Sequence, residues 1–387
     1  MRKKIAILGS TGSIGKTTFN IIKKNKNDFD VVLLTTNKNT NLVIKQARVL
    51  KVKNILISSQ AHYLKAIKLK NKNFKIYNNL DDLNKIIKKK LDYCMCAITG
   101  LAGLKPTLSC IKLTKKIAIA NKESIICAWN LIEQELKKYK TKFIPVDSEH
   151  FSIWSLIKNI KNYKIDKILI TASGGPFLNL PIEKFKYIKP KDALKHPSWI
   201  MGRKISVDSA TMMNKVFEII EAQRIFKVNL NKFEILIHPN SYLHAIVKFE
   251  NGLTKMLVHD TSMSIPIFNT IYSENSRKIK NNNINLSYLN NLNLSKPNIK
   301  RFPILKIIKL IPKNISLFET VIIAVNDELV SYFLKGKISF LDMQKYLLKI
   351  INFYQFKKYC YKKPQNINQI TKVMEEARLK TQNVCVE

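Results

Sequence analysis

Short apolar runs alternate with amphipathic stretches along residues 1–146. The runs that predict strands are Lys4–Leu8, Val31–Leu34, Ile55–Ile57, Tyr93–Thr99, Lys116–Ala120 and Phe143–Val146. The stretches that predict helices are Ser13–Lys24, Leu101–Ile111 and Glu123–Tyr139. Because strands that are apolar throughout are buried on both sides, the pattern predicts an α/β, Rossmann-like parallel sheet with helices on both faces.

The pattern changes after residue 150. Strands are predicted over Lys167–Thr171, Glu234–Ile237, Leu243–Glu250 and Leu253–His259, and one long helix over Ser209–Phe226. The pair Asn251-Gly252 separates the last two strands, and this pair is a strong signal for a tight hairpin. The middle of the chain therefore predicts an α+β domain with antiparallel strand pairing.

The last third of the chain has a third pattern. Residues 281–298 are rich in asparagine, which suits a connecting arm, and helical stretches follow near 316–335, 339–351 and 366–380. The sequence thus predicts four parts. They are a parallel-sheet domain at 1–148, a connective catalytic domain at 149–280, a linker arm at 281–315 and a small helical domain at 316–387.

The charge of the chain is strongly positive, with 67 Lys and Arg against 27 Asp and Glu, a net charge of +40. Such a balance raises the possibility of a nucleic-acid or anionic-membrane partner. The excess is nearly all lysine, scattered beside abundant asparagine and isoleucine, three residues that share AT-rich codons. Compositional drift is therefore favoured over nucleic-acid binding, although a phosphorylated substrate would still benefit from the positive field.

Other features of the composition favour a soluble, cytoplasmic protein. No apolar run reaches the roughly 18 residues of a membrane helix, and Gly9 and Ser10 interrupt the apolar N-terminal stretch too early for a signal peptide. Six cysteines form no CxxC pair, and Cys94 and Cys96 lie in an apolar run as buried thiols of a reducing compartment would.

A glycine-rich turn follows the first predicted strand, with Gly9, Gly12 and Gly15 three residues apart and Lys16-Thr17 after them. A Walker loop would need glycine at Ser10, so that pattern fails by one residue. The spacing fits a Rossmann turn, whose glycines let a pyrophosphate approach the backbone amides at a helix N-terminus. An ordinary glycine turn is the alternative.

The end of the second strand distinguishes between nicotinamide cofactors. Enzymes that use NAD place an acid there for the ribose hydroxyl, whereas this chain has Thr35-Thr36-Asn37-Lys38-Asn39. A lysine between asparagines suits a 2′-phosphate, which favours NADPH.

An acidic pair, Asp147 and Glu149, follows the last strand of the first region. With one more carboxylate it could form an oxygen site for Mg²⁺ or Mn²⁺, or Asp147 or Ser148 could simply cap a helix. Glu218 is the candidate third acid and shares a helix face with Asn214 and Lys215. The alternative for that face is an exposed Lys–Glu pair, and Glu221 is expected to be a surface acid.

Two loops carry further polar groups. Residues 171–177 include Ser173 before a Gly-Gly pair and offer donors for a phosphate, or form an ordinary tight turn. Residues 196–203 combine His196, Trp199 and Gly202 as a closing lid would. His238 and His244, near the hairpin, are expected to pack around the site.

Together these motifs resemble one family, the 1-deoxy-D-xylulose 5-phosphate reductoisomerases of the non-mevalonate isoprenoid pathway. The matching stretches are GSTGSIG at 9–15, ANKES at 120–124, PVDSEH at 145–150, ASGGPF at 172–177, HPSWIMGRKISVDSATMMNK at 196–215 and IHPNS at 237–241. The resemblance implies NADPH-dependent conversion of 1-deoxy-D-xylulose 5-phosphate to 2-C-methyl-D-erythritol 4-phosphate by a metal-assisted skeletal rearrangement and hydride transfer. It also implies a homodimer.

The resemblance further implies three sets of site residues. For NADPH they are Thr11, Gly12, Ser13, Ile14, Asn37, Lys38, Asn39, Asn121, Glu123 and Gly202. For Mg²⁺ or Mn²⁺, with Co²⁺ as a third candidate, they are Asp147, Glu149 and Glu218. For the phosphorylated sugar and its chemistry they are Lys122, Ser148, Glu149, Ser173, His196, Trp199, Ser209, Asn214, Lys215 and Glu218.

The chain departs from the family at a few positions. Asn37 and Val216 replace glycines, and Thr261-Ser262 stands where a proline and an acid are usual. Two other functions are alternatives to the family assignment: a semialdehyde or homoserine-type dehydrogenase, which would need no metal triad, and a basic nucleic-acid-binding protein, whose binding would be salt-sensitive.

Overall fold

A computed structural model describes residues 2–68, 73–160, 164–273, 277–279 and 285–386. The strands are β1 (Lys3–Leu8), β2 (Phe29–Thr36), β3 (Asn54–Ile57), β4 (Lys75–Tyr77), β5 (Tyr93–Cys96), β6 (Lys116–Ile119), β7 (Lys142–Pro145), β8 (Ile165–Ala172), β9 (Phe233–Ile237), β10 (Leu243–Phe249) and β11 (Thr254–Val258).

The α-helices are α1 (Ser13–Lys24), α2 (Thr40–Leu50), α3 (Gln60–Ile67), α4 (Leu83–Ile86), α5 (Leu104–Ile111), α6 (Lys122–Tyr139), α7 (Ser148–Ile157), α8 (Pro190–Ala193), α9 (Arg203–Ala210), α10 (Met213–Phe226), α11 (Ser264–Ile271), α12 (Leu286–Asn290), α13 (Phe318–Leu334), α14 (Phe340–Ile351), α15 (Tyr354–Lys357) and α16 (Ile367–Val386). Short 3₁₀ helices occupy Lys26–Asp28, Leu80–Asp82, Leu101–Gly103, Ile182–Tyr187, Leu230–Lys232, Pro303–Leu310 and Lys358–Tyr361.

The first of two compact units contains residues 1–125, 130–147 and 263–280. Its strands form a sheet in the order β4-β3-β2-β1-β5-β6-β7, and every described pair is parallel. β1 lies at the point where the strand order reverses, and in such sheets ligands bind outside the carboxyl ends of the strands at that point. The predicted α/β parallel sheet is confirmed.

The second unit contains residues 126–129, 148–262 and 281–387. Its sheet has the order β11-β10-β8-β9, with β10 antiparallel to β11 and to β8, and β8 parallel to β9. The hairpin predicted at Asn251-Gly252 joins β10 to β11. α13 packs against α14 and α16 in the helical C-terminal region, as the sequence predicts.

The helix predicted over Ser209–Phe226 is in fact two helices. α9 ends at Ala210 and α10 begins at Met213, because Met212 has a left-handed backbone with φ of 66°. Asp208, within α9, is buried, and its carboxylate accepts a hydrogen bond from Asn326 Nδ2 at 2.8 Å. The break turns the chain so that Asn214 and Lys215 stand in the first turn of a new helix.

The four-part domain division stays a prediction. Residues 263–280 group with the first unit because α11 packs on α1 and its Ile267, Phe268 and Ile271 belong to that unit's apolar core. Among the described residues, every helix is too short or too polar to cross a membrane.

Candidate active site

The glycine turn after β1 is shaped by close backbone contacts. Gly9 has φ of 79°, and a Cβ added there would lie 2.7 Å from the carbonyl oxygen of Ala97. A Cβ on Gly15 would overlap the carbonyl oxygen of Gly9, so the turn can close against α1 only with glycine at this position. Gly12 is the N-cap of α1 and supplies no side-chain cap, which leaves the first amides of the helix for an anion.

The neighbouring strand β2 holds this turn in place. The backbone N–H of Gly9 donates to Thr35 Oγ1 at 2.8 Å, and the hydroxyls of Thr11 and Thr36 are 2.8 Å apart. Ser13 is exposed at the start of α1, and Ile14 beside it is half-buried. A rigid turn with an exposed helix N-terminus, at the point where the strand order reverses, fits a dinucleotide pyrophosphate.

Asn37, Lys38 and Asn39 lie directly after β2 and are all exposed. Asn39 Oδ1 accepts from the N–H of Leu42 at 3.3 Å and caps α2, while Asn37 Oδ1 accepts from Ser58 Oγ at 3.4 Å. The segment therefore has an ordered backbone and an exposed ammonium group, as a 2′-phosphate site requires.

Asn121 caps α6 and is buried. Its Oδ1 accepts from the N–H of Ser124 at 2.5 Å, and its Nδ2 donates to the carbonyls of Gly100, at 2.7 Å, and Ile98. Because both amide hydrogens are used within the fold, the predicted NADPH contact of this residue would come from its backbone. Glu123, in the first turn of α6, is half-buried.

The three predicted metal ligands come together. Asp147 immediately precedes α7 and Glu149 lies in its first turn, so local backbone sets their spacing. Glu218 comes from the first half of α10. One carboxylate oxygen from each residue lies within 4.8 Å of the other two. Hard carboxylate oxygens at such a separation are what Mg²⁺ or Mn²⁺ requires.

Two lysines, Lys215 buried and Lys122 largely buried, balance these acids. Lys122 Nζ donates to Asp147 Oδ2 at 2.5 Å, while Lys215 Nζ donates to Glu218 Oε2 at 2.6 Å and to Glu149 Oε1. Burial opposes a charged Lys215, but the charges of Glu149 and Glu218 outweigh it and raise the pKa of its ammonium group. Three carboxylates thus face two ammonium groups, which leaves negative charge for a divalent cation.

The interpretation of Lys215 and Glu218 as an exposed pair is wrong, since their side chains are only 7% and 1% exposed. Glu218 is further held by Asn214, whose Nδ2 donates to its Oε1. Ser148 Oγ donates to Glu149 Oε2.

Glu221 is also buried rather than on the surface, because α10 turns it toward His150 of α7, whose Nδ1 lies 3.8 Å from Glu221 Oε2. His150 Nε2 donates to the backbone carbonyl of Glu218 at 2.8 Å. This His150–Glu221 pair therefore fixes the backbone at a predicted metal ligand. Sequence reasoning missed it, although His150 ends the PVDSEH motif.

The hydrogen bonds around His196 fix its tautomer. Its Nδ1 accepts from the backbone N–H groups of Ser198 and Trp199 at 3.1 and 3.0 Å, so the ring proton of the neutral form sits on Nε2. Nε2 then donates to Ser173 Oγ at 3.0 Å, which also accepts from the N–H of Gly175 at 3.1 Å. Ser173 is left with one hydroxyl proton to donate to an anionic ligand.

The loop around Ser173 lies against Ser209. Gly175 has φ of 67°, and a Cβ there would be 3.0 Å from the carbonyl oxygen of Ser209. Ser209 itself is half-buried near the end of α9. The structure thus brings the Ser173 loop against the end of α9, and each carries a predicted phosphate contact.

The lid segment 196–203 is anchored at one side and exposed at the other. The Trp199 ring packs edge-on against His244 at 6.1 Å, and His244 stacks on His259 at 3.7 Å. Ile200 is fully exposed, and Gly202, the N-cap of α9, has open space where a Cβ would be. His238 and His244 are buried.

Comparison with known proteins places the chain among a defined set of enzymes. A family model for 1-deoxy-D-xylulose 5-phosphate reductoisomerase matches residues 5–129, and two models for its C-terminal domain match residues 143–226 and 259–380. A Pelagibacter ubique protein of that name is 56% identical over 387 residues, covering 99% of this chain and 100% of the relative.

Solved structures give the same result. The Zymomonas mobilis reductoisomerase in complex with NADPH is 31% identical, with a TM-score of 0.88 and coverage of 100% of this chain and 99% of that one. A DOX-P reductoisomerase in complex with NADPH, fosmidomycin and magnesium is 28% identical, with a TM-score of 0.90 and coverage of 99% and 98%.

Substitution of Gly15 by alanine should disrupt the turn after β1. The added Cβ overlaps the Gly9 carbonyl, and overpacking of this kind costs about 1–3 kcal/mol. We expect a lower free energy of unfolding in urea and weaker NADPH binding by fluorescence titration. Gly202→Ala, where the Cβ meets no atom within 4 Å, is the control for stability. Equal stability of the two variants would contradict the steric account.

The ring of His196 should stay neutral to unusually low pH. Burial and the charge of Lys215 lower its pKa to about 4. Because the folded pKa is below the unfolded one, the ring's contribution to stability is complete above its ordinary pKa of 6.5. That contribution is lost as the pH falls toward 4. Histidine Cε1–H NMR titration measures this, with His196→Gln assigning the resonance. A pKa near 6.5 or higher would refute the proposed tautomer network.

Proposed function

We propose that this chain, which belongs to the 1-deoxy-D-xylulose 5-phosphate reductoisomerase family, converts 1-deoxy-D-xylulose 5-phosphate to 2-C-methyl-D-erythritol 4-phosphate with NADPH and a divalent metal. The observation that carries the proposal is the cluster formed by the carboxylates of Asp147, Glu149 and Glu218, in which Lys215 is paired with the two glutamates. A homoserine-type dehydrogenase needs no such group, so its presence favours the reductoisomerase.

NADPH is assigned to the glycine turn of the first unit and to the segment after β2. The exposed amides at the start of α1 suit the pyrophosphate, and Lys38 between Asn37 and Asn39 suits the 2′-phosphate. Asn121, Glu123 and Gly202 would contact the same cofactor.

The divalent cation is assigned to the three carboxylates. Bound there, Mg²⁺ or Mn²⁺ supplies a Lewis acid that polarises the keto and hydroxyl oxygens of the substrate and stabilises negative charge on them. Lys122 and Lys215 hold the carboxylates in place through direct ion pairs. Ser148 contributes a hydrogen bond to Glu149.

The substrate phosphate is assigned to donors of the second unit, namely Ser173, Ser209, Asn214 and Lys215. Ser173 has one hydroxyl proton to give, since its oxygen already accepts from His196 and Gly175. Lys215 gives two of its three N–H groups to Glu149 and Glu218, and the third remains for an anion. The phosphate would thus be held beside the metal ligands.

The lid would orient the substrate and exclude water from the reaction. His196, neutral above its lowered pKa, can donate from Nε2 and so position a substrate hydroxyl together with Lys122. Trp199, packed edge-on against His244, would cover the apolar side of the substrate. Exclusion of water strengthens electrostatic interactions in the site.

Two further parts of the proposal concern the protein in its cell. We place it in the cytoplasm, supported by six cysteines that form no disulfide, four of them buried, as suits a reducing compartment. We also propose a homodimer. Light scattering on the full chain measures the second point directly, and a monomeric mass at working concentration would contradict it.

The assay that tests the function is NADPH oxidation with 1-deoxy-D-xylulose 5-phosphate in the presence and absence of Mg²⁺. We expect turnover that requires both the sugar phosphate and the metal, and full loss in excess chelator with recovery on Mn²⁺ addition. Activity that persists in the chelator would exclude the proposed metal role. Folded protein without turnover would exclude the function.

The substitution Glu218→Gln should reduce turnover by about 100-fold or more while leaving NADPH affinity unchanged, because it removes one metal-binding charge from the site. Steady-state rates and NADPH fluorescence titration measure the two effects. Glu183→Gln, at an exposed acid of the same unit, is the matched control. Near-normal turnover of the Glu218 variant would show that this carboxylate is not a ligand.

A further inference from the structure

A buried ion pair joins the far end of α10 to the C-terminal helical region. Arg224 Nη2 donates to Glu319 Oε1 of α13, and the two side chains are 6% and 0% exposed. The same guanidinium donates to the carbonyls of Lys313 and Asn314 at 3.3 and 3.2 Å. Glu319 is further held by Ser316, whose N–H donates to Oε2 at 3.2 Å. These hydrogen bonds therefore hold the Arg224 and Glu319 side chains in one fixed arrangement.

The helix that this pair holds carries Asn214, Lys215 and Glu218 at its other end. Arg224 lies six residues beyond Glu218, roughly 9 Å along the axis at 1.5 Å per residue. The start of α10 has no side-chain cap, and it follows the left-handed Met212. Thr211 Oγ1 accepts from the N–H of Met213 at 3.3 Å, so a local hydrogen bond holds the first residue of the helix but does not fix the direction of its later turns.

We propose that Arg224 and Glu319 are positioning residues for the active site. They fix the position of α10 along its axis and its rotation about that axis. Through the helix they position the carboxylate of Glu218 for the metal and the ammonium group of Lys215 for the substrate phosphate. The role in catalysis rests on the function proposed above. The role in holding the carboxylates can be measured by metal binding alone.

A second buried contact makes the same connection for α9, which carries Ser209. Asp208 accepts from Asn326 of α13 at 2.8 Å, and Lys204 bridges Asp208 and Asp327 at 3.2 and 3.0 Å. Both helices with predicted phosphate contacts are thus tied to α13 by buried polar groups. Hydrogen bonds and ion pairs of this kind are directional, so they specify the relative position of the helices more closely than apolar packing alone would.

Removal of either partner would leave the other charge buried without compensation. Burial raises the pKa of Glu319 even though Arg224 opposes that shift, so without Arg224 this acid would take up a proton or draw in water. Protonation of Glu319 or entry of water would move segment 313–319, which holds Arg224 at the end of α10. Replacement of both partners by apolar residues removes the penalty but also the directional bonds.

The experiment compares Glu319→Gln, which keeps the size of the side chain, with the double variant Arg224→Met/Glu319→Leu, which is expected to recover thermal stability. The control is Glu328→Gln, at an acid of the same helix whose Oε1 accepts from Gln382 at 3.1 Å. For each protein we would measure the melting temperature, Mn²⁺ binding without substrate by electron paramagnetic resonance, NADPH binding by fluorescence, and kcat and KM.

We expect both test variants to bind Mn²⁺ roughly tenfold more weakly and to show a raised KM for the sugar phosphate, because Glu218 and Lys215 would move from their positions; tenfold is the lower end of the effect of losing a group bonded directly to a metal ligand. Their NADPH affinity should match the control. Unchanged Mn²⁺ binding in both would overturn the proposal. So would a parallel loss of NADPH affinity, which would indicate general destabilisation. If the unaltered protein binds Mn²⁺ but turns over no substrate, the proposed function fails while the positioning role is still measured.

Discussion

The arrangement of the second unit depends on one buried ammonium group, Nζ of Lys215, between the carboxylates of Glu149 and Glu218. Carboxylates this close repel each other, and burial alone would favour their neutral forms. The shared ammonium offsets that repulsion between two side chains that are only 12% and 1% exposed. That arrangement requires α7 and α10 to pack side by side, and His150 adds a hydrogen bond from α7 to the backbone of α10.

Much of the fold could be predicted because its signals are local. A strand such as β5 is apolar at each position and buried throughout, so its place in a covered parallel sheet follows from composition alone. Gly252 of the hairpin and Gly9 of the first turn have positive φ, which few other residues adopt, and Gly15 leaves room for a close backbone approach. The residue types of the candidate site could likewise be predicted, because only a few side chains bind hard metal ions or phosphate.

What could not be predicted depends on contacts between distant residues. Helical periodicity places Glu221 on a face of α10 but does not say whether water or His150 lies opposite it. Arg224 and Glu319 are separated by 95 positions, and nothing in either segment identifies the other as its partner. The break between α9 and α10 at Met212 is of the same kind. Asp208, just before the break, is a residue type common at helix caps, but its carboxylate accepts from the distant Asn326.

The lysine content of the chain shows why charge alone was a poor guide to function. Lysines such as Lys184 and Lys195 are exposed, and they add to the net charge without specifying a ligand. Lys122 and Lys215 are nearly enclosed and spend their N–H groups on named carboxylates. Compositional drift can add or remove lysines at such exposed positions without disturbing the site. It cannot change Lys122 and Lys215, because each loss there would leave a buried acid without a partner.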